Sequence, residues 1–274
     1  MIFIHFVFHQ KHKAMKQYQT DLSDNHWQVI QNILNDTRKR KHDLKEIWNS
    51  LLYITKSGCQ WRMLPLNFPK WQLVYYYYRK WESWGIIEEV HDKIHEKVRN
   101  YLGRETSPSL GLMDSQSIKT SSMTAEKGYD GNKRVNGRKR HIITDTLGFL
   151  MAIVIHNANI NDREGAKLLL KNVMYKYPRL IKIMADQGYT GELVEWTLKI
   201  FGWVLEIVNK VVGISGFNVL PKRWIVERTF GWFNFQRRLS KDYELLPCCS
   251  EAMIRIAMIR IMLNKIPKNH LVKE

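Results

Sequence analysis

Three acidic residues are candidates for chemistry, and of these only Asp114 resists a purely structural explanation on its own. Asp114 sits in the middle of an apolar run, Leu110 to Ile118 (LGLMDSQSI), directly after Leu112 and Met113. An unpartnered carboxylate in such a place costs several kcal/mol at least, so something must compensate it. Asp186 ends a second apolar run, Leu180 to Ala185, just before Gln187 and Gly188, at the carboxyl end of a strand where open mixed sheets place ligands. Glu227 lies in a helical stretch, Lys222 to Arg238, four residues after Arg223, so that Arg223, Glu227 and Asn234 share one face. Taken singly, an Asp at a strand end reads as a cap and a helical Glu beside arginines as a salt bridge. Taken together they offer three hard oxygen ligands. Mg²⁺ prefers oxygen and is held by few carboxylates, and two such ions roughly 3.5–4 Å apart can activate an attacking oxygen and stabilise a leaving one at a phosphodiester. The remaining acids have simpler roles: Asp145 in a hairpin turn, Asp162 and Glu164 in the first turn of a helix, Glu195 on an exposed helix face.

The elements that must carry these residues follow from hydrophobic period. From Ser23 to Leu102 the spacing is helical. Ser23 caps a helix with Trp27, Ile30 and Leu34 on one face, and Asp43 with Glu46 opens a second whose Leu44, Ile47, Trp48, Leu51 and Leu52 form a buried stripe. A third helix runs from Pro69 to Trp81, and Ile87, Val90, Ile94 and Val98 mark a fourth. A turn-rich hinge, Gly103 to Ser109, then changes the period. Beyond it the expected order is β, β, β, α, β, α, β, α: a strand over 110–118, a hairpin of Arg140–Thr144 and Phe149–His156 joined at Asp145–Gly148, a helix from Asn161 to Lys176, a strand over 180–185, a helix over 192–200, a strand over 203–208 and the helix of Glu227. The expected fold is α/β, a mixed sheet with flanking helices and its first and fourth strands parallel, preceded by a small all-α domain. A nearly apolar helix, Ser250 to Leu263, broken only by Arg255 and Arg260, packs on the sheet.

With 45% apolar and 12% aromatic residues in 274, the chain has a core-forming composition. Its formal charge is +17, with a pI near 9.7, which makes a polyanion the first partner to test. No apolar run reaches the roughly 18 residues of a spanning helix. Cys59, Cys248 and Cys249 form neither an even disulfide framework nor a CxxC metal motif. The first eight residues, MIFIHFVF, lack the basic start and small-residue cleavage site of a signal peptide. Translation from Met15 is expected, with residues 1–14 a doubtful extension. His5, His9 and His12 fall in that extension, and the His91/His95 pair lacks a third zinc ligand.

The wording around the acids resembles a known family. GLMDSQSIK (111–119), GRKRHIITD (137–145), ADQGYT (185–190) and PKRWIVERTFGW (221–232) closely resemble the DDE transposases of bacterial insertion sequences, in the IS-five branch of the IS-four-like superfamily. TDLSDNHW (20–27), SGCQWRMLP (57–65) and Tyr75 to Trp81 resemble the helical N-terminal region of that branch, so the likeness extends from Met15 to about Leu263. The resemblance implies a helical DNA-binding domain over 15–105 and a ribonuclease H-like catalytic domain over 106–274. It implies that Asp114, Asp186 and Glu227 bind two Mg²⁺ ions, with Mn²⁺ as a substitute, Asp114 bridging both and each of the others completing one. The short interval between Asp186 and Glu227 leaves no room for a large inserted domain. The implied activity is recognition of inverted element ends, hydrolysis that frees a 3′-hydroxyl, and attack of that hydroxyl on target DNA, in a homo-oligomeric complex in the bacterial cytoplasm at the nucleoid. Relatives carry a Tyr, Arg, Glu, Lys signature around the third acid. Arg223 and Glu227 match it, while Leu220 and Asn234 stand at the Tyr and Lys positions, leaving Arg237, Arg238 or Lys241 to take the phosphate.

Basic and aromatic patches supply candidate DNA contacts. Lys133 to His141 (KRVNGRKRH) holds five Lys or Arg and no acid, and is read as the connection into the second strand, with Lys133, Arg134, Arg138, Lys139, Arg140 and His141 facing phosphate. Arg38 to Lys41 forms a second cluster, and Arg228 adjoins Glu227. On the third helix about two of Tyr75 to Tyr78 should be buried and the others, with Arg79 and Lys80, left for a duplex in a helix-turn-helix-like module.

Overall fold

The computed structural model describes residues 18–36, 38, 40–208 and 222–267. The start at Met15, the N-terminal histidines, Lys39 and Leu220 lie outside them. Four helices open the described chain: α1 (Asp24–Leu34), α2 (Leu44–Ser57), α3 (Trp71–Ser83) and α4 (Ile86–Tyr101). Ser23 accepts the His26 N–H at 3.2 Å and Asp43 the Lys45 N–H at 2.8 Å, so the expected caps start α1 and α2. The α2 stripe is buried at Ile47, Trp48, Leu51 and Leu52. The third helix starts after Pro69, with Lys70 as its cap.

Six strands follow: β1 (Leu110–Lys119), β2 (Gly128–Asp130), β3 (Val135–Thr144), β4 (Leu150–Asn157), β5 (Lys182–Ala185) and β6 (Val204–Ile207). Helix α5 (Asp162–Val173) precedes β5, α6 (Glu192–Phe201) precedes β6, and α7 (Arg223–Asn234) and α8 (Pro247–Leu263) complete the described chain. β1 is central: antiparallel to β3, whose far edge takes β4, and parallel to β5, which pairs in parallel with β6. The hairpin and the parallel first and fourth expected strands are as the sequence indicates. The basic segment is not. It contributes to β3, which begins at Val135 rather than Arg140, and it pairs with the unforeseen short strand β2.

Side chains alternate across the sheet and divide the core. Leu112, Ile142, Ile153 and Ile155 face α7 and α8, while Met113, Ile143 and Ala152 face α5 and the second core cluster. The first cluster continues without a break into Ile47, Trp48, Tyr78, Val90 and Ile94 of the four N-terminal helices. α8 is the reason. It lies between β4 on one side and α2, α3 and α4 on the other, which explains why it is apolar around its whole circumference. Its Arg255 is neutralised by Glu88 at 3.3 Å and Glu251 at 3.6 Å.

Candidate active site

Asp114 follows Leu112 by two on β1, so it projects on the α7 face of the sheet. Its Oδ1 accepts the Ser115 N–H at 2.6 Å. Burial lifts its carboxyl to about 6, the negative charges of Asp186 and Glu227 push the same way, and the Ser115 amide and Lys133 oppose them. The two other acids are thus near enough to be felt. Asp186 ends β5, the parallel neighbour of β1, and caps the short 3-10 turn Gln187–Tyr189 by accepting the Gly188 N–H at 2.9 Å. Glu227 is half-exposed on α7, where Arg223 one turn earlier pairs with it at 2.8 Å. The three carboxylates occupy one region, although their oxygens are not all within 4.8 Å of one another. This donor set fits a divalent cation: three hard oxygens, one of them partly buried and pushed toward its neutral form by desolvation first and by the others' charge second.

Lys133 is exposed, and its Nζ donates to the Ser115 carbonyl at 3.3 Å, which sets a cation at the rim of Asp114. Arg134 beside it is exposed and adopts φ 53°. The other four members of the patch require correction. Arg138, Lys139, Arg140 and His141 are buried in β3, at 0–4% exposure, and cannot meet a phosphate backbone. Arg138 donates to Glu126 O at 2.7 Å, Leu245 O at 2.7 Å and Asp242 Oδ2 at 3.2 Å; Arg140 donates to Leu239 O at 2.9 Å. Lys139 donates to Asp162 Oδ1 at 2.9 Å, and His141 lies between Tyr189 and His156. Charge on a strand facing two layers of protein becomes internal bonding rather than a docking track.

Arg238 is likewise buried against Glu244, with Nη2 to Oε1 at 2.7 Å. Arg237, Lys241 and Asn234 remain exposed, but α7 ends at Asn234, so Lys241 is not on a continuation of it. Arg228 is stacked between Trp224 and Trp232, 4.7 and 4.8 Å from their centroids, and donates to Leu147 O at 2.8 Å. On α3, Tyr77 and Tyr78 are buried and Tyr75 and Tyr76 exposed. Lys80 lies 4.3 Å from the Trp84 ring, while Arg79 turns inward to Glu82 at 3.0 Å and to the Cys249 sulfur. Between α2 and α3 the chain makes a 3-10 turn, Trp61–Met63.

Two acids that the sequence places in a hairpin turn and in the first turn of a helix stand there and also make long-range contacts. Asp145 is wholly buried and binds His95 Nε2 at 3.2 Å and Arg99, tying the hairpin to α4, while His91 Nδ1 contacts Asp92 at 2.9 Å. Asp162 accepts the Ser115 hydroxyl at 2.9 Å, and its other oxygen lies with Asp186 Oδ1 around the Cα–H of Gly188. Ser115, in the DSQ motif, was the available signal for it.

A mixed sheet that gathers acidic residues from β1, from the end of β5 and from a following helix defines the class. The transposase DDE domain family model matches residues 105–262, and the chain belongs to that family. A second family model, described as putative transposase of IS4/5 family, matches residues 22–91. The chain is 31% identical over 117 residues to a putative transposase for insertion sequence element IS402 from Burkholderia cepacia. That match covers 39% of this chain and 54% of the relative. No solved structure matches. DDE transposases generally use divalent metal ions. No helix among the described residues is long and apolar enough to cross a membrane.

Proposed function

We propose that this transposase binds the inverted ends of its element as double-stranded DNA, cuts a phosphodiester to leave a 3′-hydroxyl, and joins that hydroxyl to target DNA. The carrying observation is Asp114, a carboxyl on the central strand lifted by burial and by the charges of Asp186 and Glu227; the strand order β4-β3-β1-β5-β6 around it supports reading the sheet as a ribonuclease H-like core. Asp114, Asp186 and Glu227 are the ligand set. Two Mg²⁺ ions held there, or Mn²⁺ in their place, supply activation of the attacking oxygen and stabilisation of the leaving one. Arg223 restrains Glu227 through its 2.8 Å pair and offers a second face to the scissile phosphate. Lys133 and Arg134 guide the backbone toward Asp114, Arg237 and Lys241 extend the exposed basic surface, and Arg228, half-buried in its stack, adds charge beside Glu227. The helices of residues 15–105 form the end-binding domain, where half-buried Lys80 lies against exposed Tyr76 and Trp84 and makes a cationic and aromatic face. Residues 106–274 form the catalytic domain. Bringing two element ends together requires a homo-oligomer, working at bacterial DNA in the cytoplasm.

The test is incubation of the full chain with DNA carrying the inverted ends, a plasmid target and Mg²⁺ or Mn²⁺. Nicked ends and joined products are expected in metal and neither in EDTA. Cutting without joining would instead identify a structure-specific nuclease, and binding with neither a non-catalytic descendant. A second measurement addresses the basic rim. Lys133→Ala and Arg134→Ala should each weaken binding to any duplex and lower the slope of log affinity against log salt by about one, with folding unchanged. An unaltered slope removes these residues from the DNA path.

A further inference from the structure

Beneath Asp114 and Asp186 lies a buried polar layer that metal ligation does not by itself call for. Asp114 and Ser115 are consecutive on β1, so Ser115 leaves on the opposite face, toward α5. Across the β1–β3 ladder Ser115 stands opposite His141 and Ser117 opposite Lys139, which puts all four on that face. Ser115 Oγ donates to Asp162 Oδ1 at 2.9 Å, and the same oxygen accepts from Lys139 Nζ at 2.9 Å. Although burial acts to raise it, Lys139 and Ser115 hold the Asp162 carboxyl below its ordinary range.

His141 forms the second half of the layer, and its direction can be derived from the far end. His156 Nδ1 meets the Asn157 carbonyl at 2.9 Å and must donate, so His156 Nε2 accepts from His141 Nδ1 at 3.0 Å. His141 Nε2 then accepts the Tyr189 hydroxyl at 2.7 Å. The scheme requires both imidazoles neutral, and burial keeps both below the usual histidine value, His141 down to about 3. Gly165 of α5 covers the pair, and a Cβ there would stand 2.4 Å from His141 Nδ1 and from His156 Nε2. A glycine lets the helix rest on the rings.

Tyr189 closes the turn that Asp186 opens, and Ser115 directly follows Asp114. The geometry points to Tyr189, His141 and Asp162 as positioning residues that fix Asp186 relative to Asp114, so that the two carboxylates meet a divalent cation in one arrangement. This rests on Asp114 and Asp186 being ligands, and the experiment separates the two ideas. Mn²⁺ is titrated into the full chain without DNA and free Mn²⁺ is read by electron paramagnetic resonance, for the wild type, Tyr189→Phe, Asp162→Asn and Asp114→Asn, with melting followed in EDTA. Loss of an outer partner of a ligand typically weakens metal affinity about 10- to 100-fold. Tyr189→Phe, which removes one oxygen and keeps the ring, should weaken Mn²⁺ binding about tenfold with little change in melting, and Asp162→Asn should act in the same direction. Should either variant fold poorly, Ser115→Ala reads the same link from the β1 side. Wild-type affinity in Tyr189→Phe and Asp162→Asn, beside lost affinity in Asp114→Asn, overturns the positioning role alone. So does a loss of affinity that merely tracks a fall in melting temperature. Undiminished Mn²⁺ binding by Asp114→Asn would show that the ligand assignment has failed, and the positioning role with it.

Discussion

Asp114→Asn should abolish cutting and joining while making the metal-free protein more stable at neutral pH. The carboxyl titrates near 6 in the folded chain against 3.8 for an unperturbed Asp. A folded acid with a raised value is penalised only when ionised. The penalty is therefore absent below about pH 4, grows as pH rises through 6, and stands in full above that. At about 1.4 kcal/mol per unit, it amounts to roughly 3 kcal/mol, which an uncharged amide of the same shape does not carry. Urea unfolding in EDTA should show the wild type losing stability between pH 4 and 7 and the variant not doing so. Mg²⁺ should restore the wild type by pairing with the ionised form and leave the variant unmoved. Activity should fall by about three orders of magnitude or more, the scale of removing about 4 kcal/mol of charge stabilisation from a transition state. Joining retained by Asp114→Asn would falsify its assignment.

The second large effect is on folding. Arg138→Leu should cost about 3–5 kcal/mol, because it strands Asp242, itself buried, without its cation. It also leaves the carbonyls of Glu126, Glu244 and Leu245 without their donor. Against a typical total of about 5–15 kcal/mol, that is enough to leave a substantial unfolded fraction. Chemical denaturation of Arg138→Leu beside Lys133→Ala makes the comparison: the first should unfold far earlier, the second at the wild-type midpoint. An Arg138 variant that folds normally yet binds DNA poorly would return this residue to the DNA-facing set.

The contrast between these two basic residues shows where sequence reasoning reached and where it stopped. Period and capping placed α1 to α4, β1, the β3–β4 hairpin and the parallel β1–β5 pair, because each depends on apolar spacing within a short window. Asp114 was legible for the same reason: an acid in an apolar strand breaks a local rule. Arg138, Lys139, Arg140 and His141 look like a solvated run because their partners, Asp242, Asp162, Leu239 and Tyr189, are remote in sequence. Charge compensation across long separations has no local signature. Asp162 was hidden differently. The first turn of a helix is a sufficient reason for an acid, and only the fold reveals that it also meets Ser115 and Lys139.

The placement of α8 has a consequence for the order of events during synthesis. Helices α2, α3 and α4 complete their apolar core against a helix that begins at Pro247, more than a hundred residues of sheet and loop later. Contacts this distant in sequence close late and slowly. While the ribosome is still making the sheet, Trp48, Tyr78, Val90 and Ile94 have no lasting cover, and the nascent helices present an adhesive apolar face. A chain stopped before Pro247 would lack the central member of its own core, so a truncated copy should be cleared or aggregate rather than persist as a free helical fragment.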